Sequence, residues 1–130
     1  MGNEASIVYD LPRQLSLEEQ EWVSKLLSVD FYGKVVLTDQ LNHASVIGYC
    51  SCGKCRSIIL TCDKSLPKFP SKQRVPVEMT LSANDGVPIL FLLHVIDGYV
   101  SELEVLRADS ERLIHVPDCN DAIVTVNEED

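Results

Sequence analysis

The sequence predicts an α+β fold, two N-terminal helices packed on an antiparallel sheet of about five strands. Three observations predict it. Apolar residues recur at helical spacing from Trp22 to Leu41, change to strand alternation at Ser45, and keep that alternation between turn signals as far as Leu106. The length of 130 residues, 45% of them hydrophobic, suits one domain that buries a core without crosslinks. That domain is expected over residues 1–130, with a frayed N-terminus at about 1–10 and an acidic tail at about 120–130.

Ser16-Leu17-Glu18-Glu19 is a capping-box pattern, so a helix should start there, with Glu18, Glu19 and Glu21 at the positive end of its dipole. Trp22, Val23, Leu26 and Leu27 form its apolar stripe, and it should end near Ser28. Trp22 belongs to the core. After Gly33, a short second helix through Val35, Val36, Leu37 and Leu41 packs beside the first and exits at Asn42 and His43. Val46, Gly48 and Cys50 then alternate with Ile47 and Tyr49, and Ile58, Leu60 and Cys62 with Ser57, Ile59 and Thr61, which reads as a hairpin around a cysteine-rich turn. Residues 63–74, with Pro67 and Pro70 among lysines, read as a connecting loop. Val75, Val77, Met79 and Leu81 face one way and Glu78, Thr80 and Ser82 the other, the pattern of a half-buried strand. Turns at Asn84-Asp85-Gly86 and Asp97-Gly98 complete a three-strand meander with Val87–Ile96 and Tyr99–Leu106. Val87–Ile96 is apolar on both faces, which places it centrally, with the helices on one face and something else shielding part of the second. Leu113–Val116 reads as a short final strand before Pro117.

The net charge of −9 is unevenly placed. Residues 1–96 hold 10 acidic and 9 basic side chains, whereas residues 97–130 hold 10 acidic and 2 basic. From Gly53 to Arg74 the balance reverses to +5. Nucleic-acid affinity comes from clustered lysine and arginine, so a chain this acidic argues against a nucleic-acid partner and for a basic protein. No segment reaches the roughly 18 apolar residues of a membrane span, and the start lacks a basic, apolar leader. A soluble, cytoplasmic protein is expected, with reduced thiols, because five cysteines cannot all pair. Gly2 with Ser6 matches a minimal myristoylation pattern that recurs by chance and carries no weight.

Cys50-Ser51-Cys52-Gly53-Lys54-Cys55 places three cysteines within six residues. Cys52 and Cys55 have the spacing of one zinc knuckle, with Cys50 as an irregular third ligand. The fourth ligand would come from Cys62, His43 or Cys119, although strand alternation sets Cys55 and Cys62 on opposite faces. Cys52 and Cys55 also have the spacing of a redox pair, but between strands rather than at a helix N-terminus. Packing of small reduced thiols around a tight turn is the plain alternative, so zinc stays open and no other cofactor is indicated. His43, His94 and His115 lie on three elements, no phosphate-cradling loop or nucleophile elbow occurs, and His94 reads as a core histidine bonded to a backbone carbonyl. Glu102 and Glu104 share a strand face, where carboxylates more often meet solvent or a partner than act as acid and base.

Leu15-Ser16-Leu17-Glu18-Glu19, Cys50-Ser51-Cys52-Gly53-Lys54-Cys55-Arg56-Ser57-Ile58 and Asp97-Gly98-Tyr99-Val100-Ser101-Glu102-Leu103-Glu104-Val105, in this order, resemble a group of short uncharacterised bacterial proteins, from about Leu15 to Pro117. The resemblance implies a bacterial, cytoplasmic origin and transfers no biochemical role. In that setting the expected function is non-catalytic: an immunity-type inhibitor that binds a basic toxin nuclease domain. Its contacts would be Glu102, Glu104, Asp109, Glu111, Asp118 and Asp121. The alternative is a small zinc- or thiol-dependent module or enzyme centred on Cys50, Cys52 and Cys55. A subunit role in a larger assembly is the third expectation, because an apolar second sheet face needs cover.

Overall fold

The computed structural model describes residues 11–128. The expected N-terminal fraying, the Gly2–Ser6 pattern and the end of the acidic tail lie outside the described residues. Helix α1 (Leu17–Leu26) starts at the Ser16 capping box: Ser16 Oγ accepts from the Glu19 amide at 3.1 Å, and the Ser16 amide donates to Glu19 Oε1 at 2.9 Å. Arg13 clasps the same carboxylate through both terminal nitrogens at 2.9 Å, which compensates for burying it. Helix α2 (Lys34–Asn42) starts at Gly33, whose φ of +84° and approach to the Phe69 ring leave no room for a Cβ.

Six strands follow: β1 (Ser45–Tyr49), β2 (Ile58–Thr61), β3 (Val77–Ser82), β4 (Pro88–Ile96), β5 (Tyr99–Arg107) and β6 (Ile123–Val126). They form one antiparallel sheet in the order β1-β2-β5-β4-β3-β6, so the α+β expectation holds with a sixth strand. Sequence reading merged β6 with the acidic tail, yet four successive β-branched residues suit the edge beside β3, and Val124 and Val126 lie on its packed side. Leu113–Val116 is not a strand. Its first amide donates to the Lys54 carbonyl at 2.7 Å, and Leu113 and Val116 fill the core margin from an irregular segment.

One sheet face carries the core. Val77, Met79, Ile89, Phe91, Leu93, Leu103 and Val105 are nearly solvent-free beneath Trp22, Leu26 and Leu37 of the helices, and Trp22 stands edge-on to Phe91 at 5.4 Å between ring centres. The connections also close over this side. The 63–74 loop is held by Phe69 N–H on the Gly98 carbonyl and by Gln40 on the Pro67 carbonyl, and the 108–122 segment by Lys25 on the Asn120 carbonyl. Position β4 is central, as expected. Its second face, however, has no covering element among the described residues: Leu90, Leu92 and His94 stay half-buried between neighbouring side chains of the same sheet. Among the described residues no helix is long and apolar enough to cross a membrane.

Candidate metal centre

The β1–β2 connection is anchored from three directions, because a loop carrying unsatisfied backbone groups must find partners beyond its own short hairpin. Arg56 N–H donates to the Val105 carbonyl at 2.9 Å, and the Lys54 carbonyl accepts from Leu113. The Arg56 guanidinium donates to Glu18 Oε1 at 2.7 Å and lies over the Trp22 ring, tying the loop's exit to the start of α1. Within this frame Gly53 adopts φ +72°, with open space where a Cβ would stand, so its role is backbone conformation rather than packing.

That turn folds the three cysteines together. The sulfurs of Cys50, Cys52 and Cys55 all lie within 4.8 Å of one another, and those of Cys52 and Cys55 are 3.4 Å apart. The amides of Lys54 and Cys55 donate to Cys52 Sγ at 3.3 and 3.4 Å. These two donors, first Lys54 and then Cys55, hold the Cys52 thiol down at about 7, so a large share of it is thiolate at neutral pH. For Cys50 the Cys52 amide pulls the same way, but hydrogen bonds to the other two thiols outweigh it and the net direction is upward. Cys50 and Cys52 are exposed and Cys55 is half-buried, so the cluster is open to an incoming ion. The arrangement can therefore hold a thiophilic cation on three sulfurs.

None of the expected fourth ligands joins it. Cys62 lies at the far end of β2, buried in the core, where desolvation raises its thiol pKa. His43 caps the C-terminus of α2 beside Asp39, and Cys119 sits by the Glu21 carbonyl of α1, its thiol also raised by burial. A fourth position on a bound ion would fall to water or to a group from outside the cluster.

The carboxylates expected to meet a partner are distributed over three places. Glu102 and Glu104 share the uncovered sheet face, as their spacing suggested. Asp109 sits past the end of β5, held by Arg107 at 2.8 Å, which with the Glu111 amide brings its carboxyl down to about 2; Glu111 is exposed beside it. Asp118 caps the turn at Cys119–Asp121 and Asp121 ends it, on the helix side next to α1. Two groups escaped sequence reading. Glu78 stands in the same row of the sheet as Glu104, a neighbour that strand alternation could have revealed once β3 and β4 were put in register. His94 bonds Glu104 rather than a backbone carbonyl: Nε2 donates to Oε1 at 2.7 Å, and the buried Nδ1 has no hydrogen-bond partner among the described residues.

A family model described as a domain of unknown function, DUF6984, matches residues 12–117. That span includes the thiol cluster, Glu102, Glu104, Asp109 and Glu111, and leaves out Asp118, Asp121 and β6. No curated protein and no solved structure matches the chain.

Proposed function

The chain belongs to the DUF6984 family, whose description assigns no activity, and from its own residues we propose that it is a zinc-binding module with Cys50, Cys52 and Cys55 as ligands. One observation carries this reading: three sulfurs from one anchored turn converge within 4.8 Å, and two backbone amides donate to one of them. Mere packing of thiols does not call for convergence at a solvent-exposed loop tip, where apolar burial contributes little. Zinc suits the site because it accepts thiolates without redox demands and tolerates one exchangeable position. Cobalt(II) titration of reduced protein tests it. Expected are sulfur-to-metal charge-transfer bands saturating at one ion per chain, displaced by zinc and abolished in Cys52→Ser. Absence of those bands, with rapid Cys52–Cys55 disulfide formation under mild oxidation, would favour the thiol-redox form of the module instead.

A second reading is favoured by the acidic excess of the last quarter, where Glu111, Asp118 and Asp121 are exposed. On it the domain is an immunity-type inhibitor whose carboxylates meet a basic nuclease domain of a toxin, with opposite charge steering the encounter. Mixing the protein with a toxin domain encoded beside it tests this; no complex at low salt would remove it.

A further inference from the structure

The second face of the sheet has no covering element among the described residues, and the registers define it residue by residue. One row reads Glu104, Leu92, Glu78 and Thr125; the next reads Leu106, Leu90, Thr80 and Ile123. Ile59, Glu102 and His94 form a third. Every one of these residues is half-buried or exposed, whereas the alternate positions on β3, β4 and β5 between them are buried. The helices and both long connections lie on the other side, and Ile123 is 72% exposed.

We propose that this face is a docking surface for a cationic protein, with the leucine rows as its apolar centre and Glu78, Glu102 and Glu104 as its charged sites. The inference rests on the second reading above, that the partner is basic, and adds where it binds and that the contact is partly apolar. Charge selects the occupant. The strand positions on the face carry three glutamates, Glu104 bonded to His94 and Glu78 to Asn127, and no lysine or arginine, so a second copy laid against it would oppose like charges, whereas lysines and arginines of another protein would complement them. Size points the same way. Six strands at about 4.8 Å by some six residues at about 3.3 Å give roughly 600 Å², below the roughly 800 Å² per partner of a standard interface, which suits a reversible protein contact.

The full chain, labelled with ¹⁵N, is titrated with lysozyme as a compact cationic probe at low ionic strength, and amide shifts are mapped. Expected are shifts centred on Glu78, Leu92, Glu102 and Glu104, lost at high salt, and an affinity roughly fivefold weaker in Glu102→Gln/Glu104→Gln. Shifts centred instead on Glu111, Asp118 and Asp121 would overturn the face while leaving the basic-partner reading standing. No binding at low salt would overturn both. A homodimer in sedimentation that protects this face would overturn the choice of occupant. The wild-type map decides the matter even if the double variant unfolds.

Discussion

Gln40 shows how one polar side chain locks the helices to the sheet. It is fully buried, yet every polar atom is used: Nε2 donates to the Pro67 and Gly98 carbonyls at 2.9 Å, and Oε1 accepts from the Val100 amide at 2.9 Å. Removing it leaves the Pro67 carbonyl and the Val100 amide without that partner, each costing roughly 1–3 kcal/mol with partial relaxation, while the Gly98 carbonyl keeps the Phe69 amide. Gln40→Ala is therefore expected to destabilise by about 3 kcal/mol, read as a lower urea midpoint at unchanged slope. Nothing in the sequence marked Gln40, because its partners are 27 to 60 residues away. The cysteine spacing was legible, but the convergence of sulfurs was not, since it depends on amides turned inward by the Gly53 turn. Alkylation by iodoacetamide checks the local chemistry: Cys52 should react first, with a midpoint near pH 7, ahead of Cys50 and of buried Cys62. Equal rates among the exposed thiols would contradict the amide-stabilised thiolate. Because the folded Cys52 pKa lies below that of a free thiol, the linkage favours folding as pH rises past 7 and is lost as pH falls through it.

Elements with strong local signals were legible, and those defined by distant pairing were not. The Ser16 capping box, the β3 alternation and the Asp97-Gly98 turn are written in residues a few positions apart, and each appears, with β3 beginning at Val77 rather than at Val75. Ser16→Ala should cost about 1 kcal/mol and Ser16→Asp much less, because either oxygen can accept from the Glu19 amide. Strand β6 was hidden because four residues between acidic neighbours carry little pattern, and only the β3 edge gives them a ladder. Ending the chain at Ala122 should leave that edge bare and lower the urea midpoint without changing metal stoichiometry, since the thiol loop joins β1 and β2 at the opposite edge. Loss of metal on that truncation would contradict independent placement of the site.

For the whole molecule, covering elements and open sheet surface are sorted by side. Helices and long connections cover one sheet face, and the thiol loop projects from the hairpin at one end, tied to α1 through Arg56 and Glu18. A bound ion would therefore restrain both layers at once. At free zinc about a hundredfold above its dissociation constant, binding stabilises the folded state by about 2.7 kcal/mol, a rise of several degrees in melting temperature that chelator should reverse. The six carboxylates expected to meet one partner divide among the open sheet, the Arg107 corner and the α1 side, a division set by strand register and chain path rather than by sequence proximity. The measurement that bears most directly on the thiolate site is zinc content by plasma mass spectrometry on protein purified without chelator. Expected is one zinc per chain in the wild type and almost none in the folded Cys50→Ser/Cys52→Ser/Cys55→Ser variant; equal zinc content in the two proteins would contradict the site.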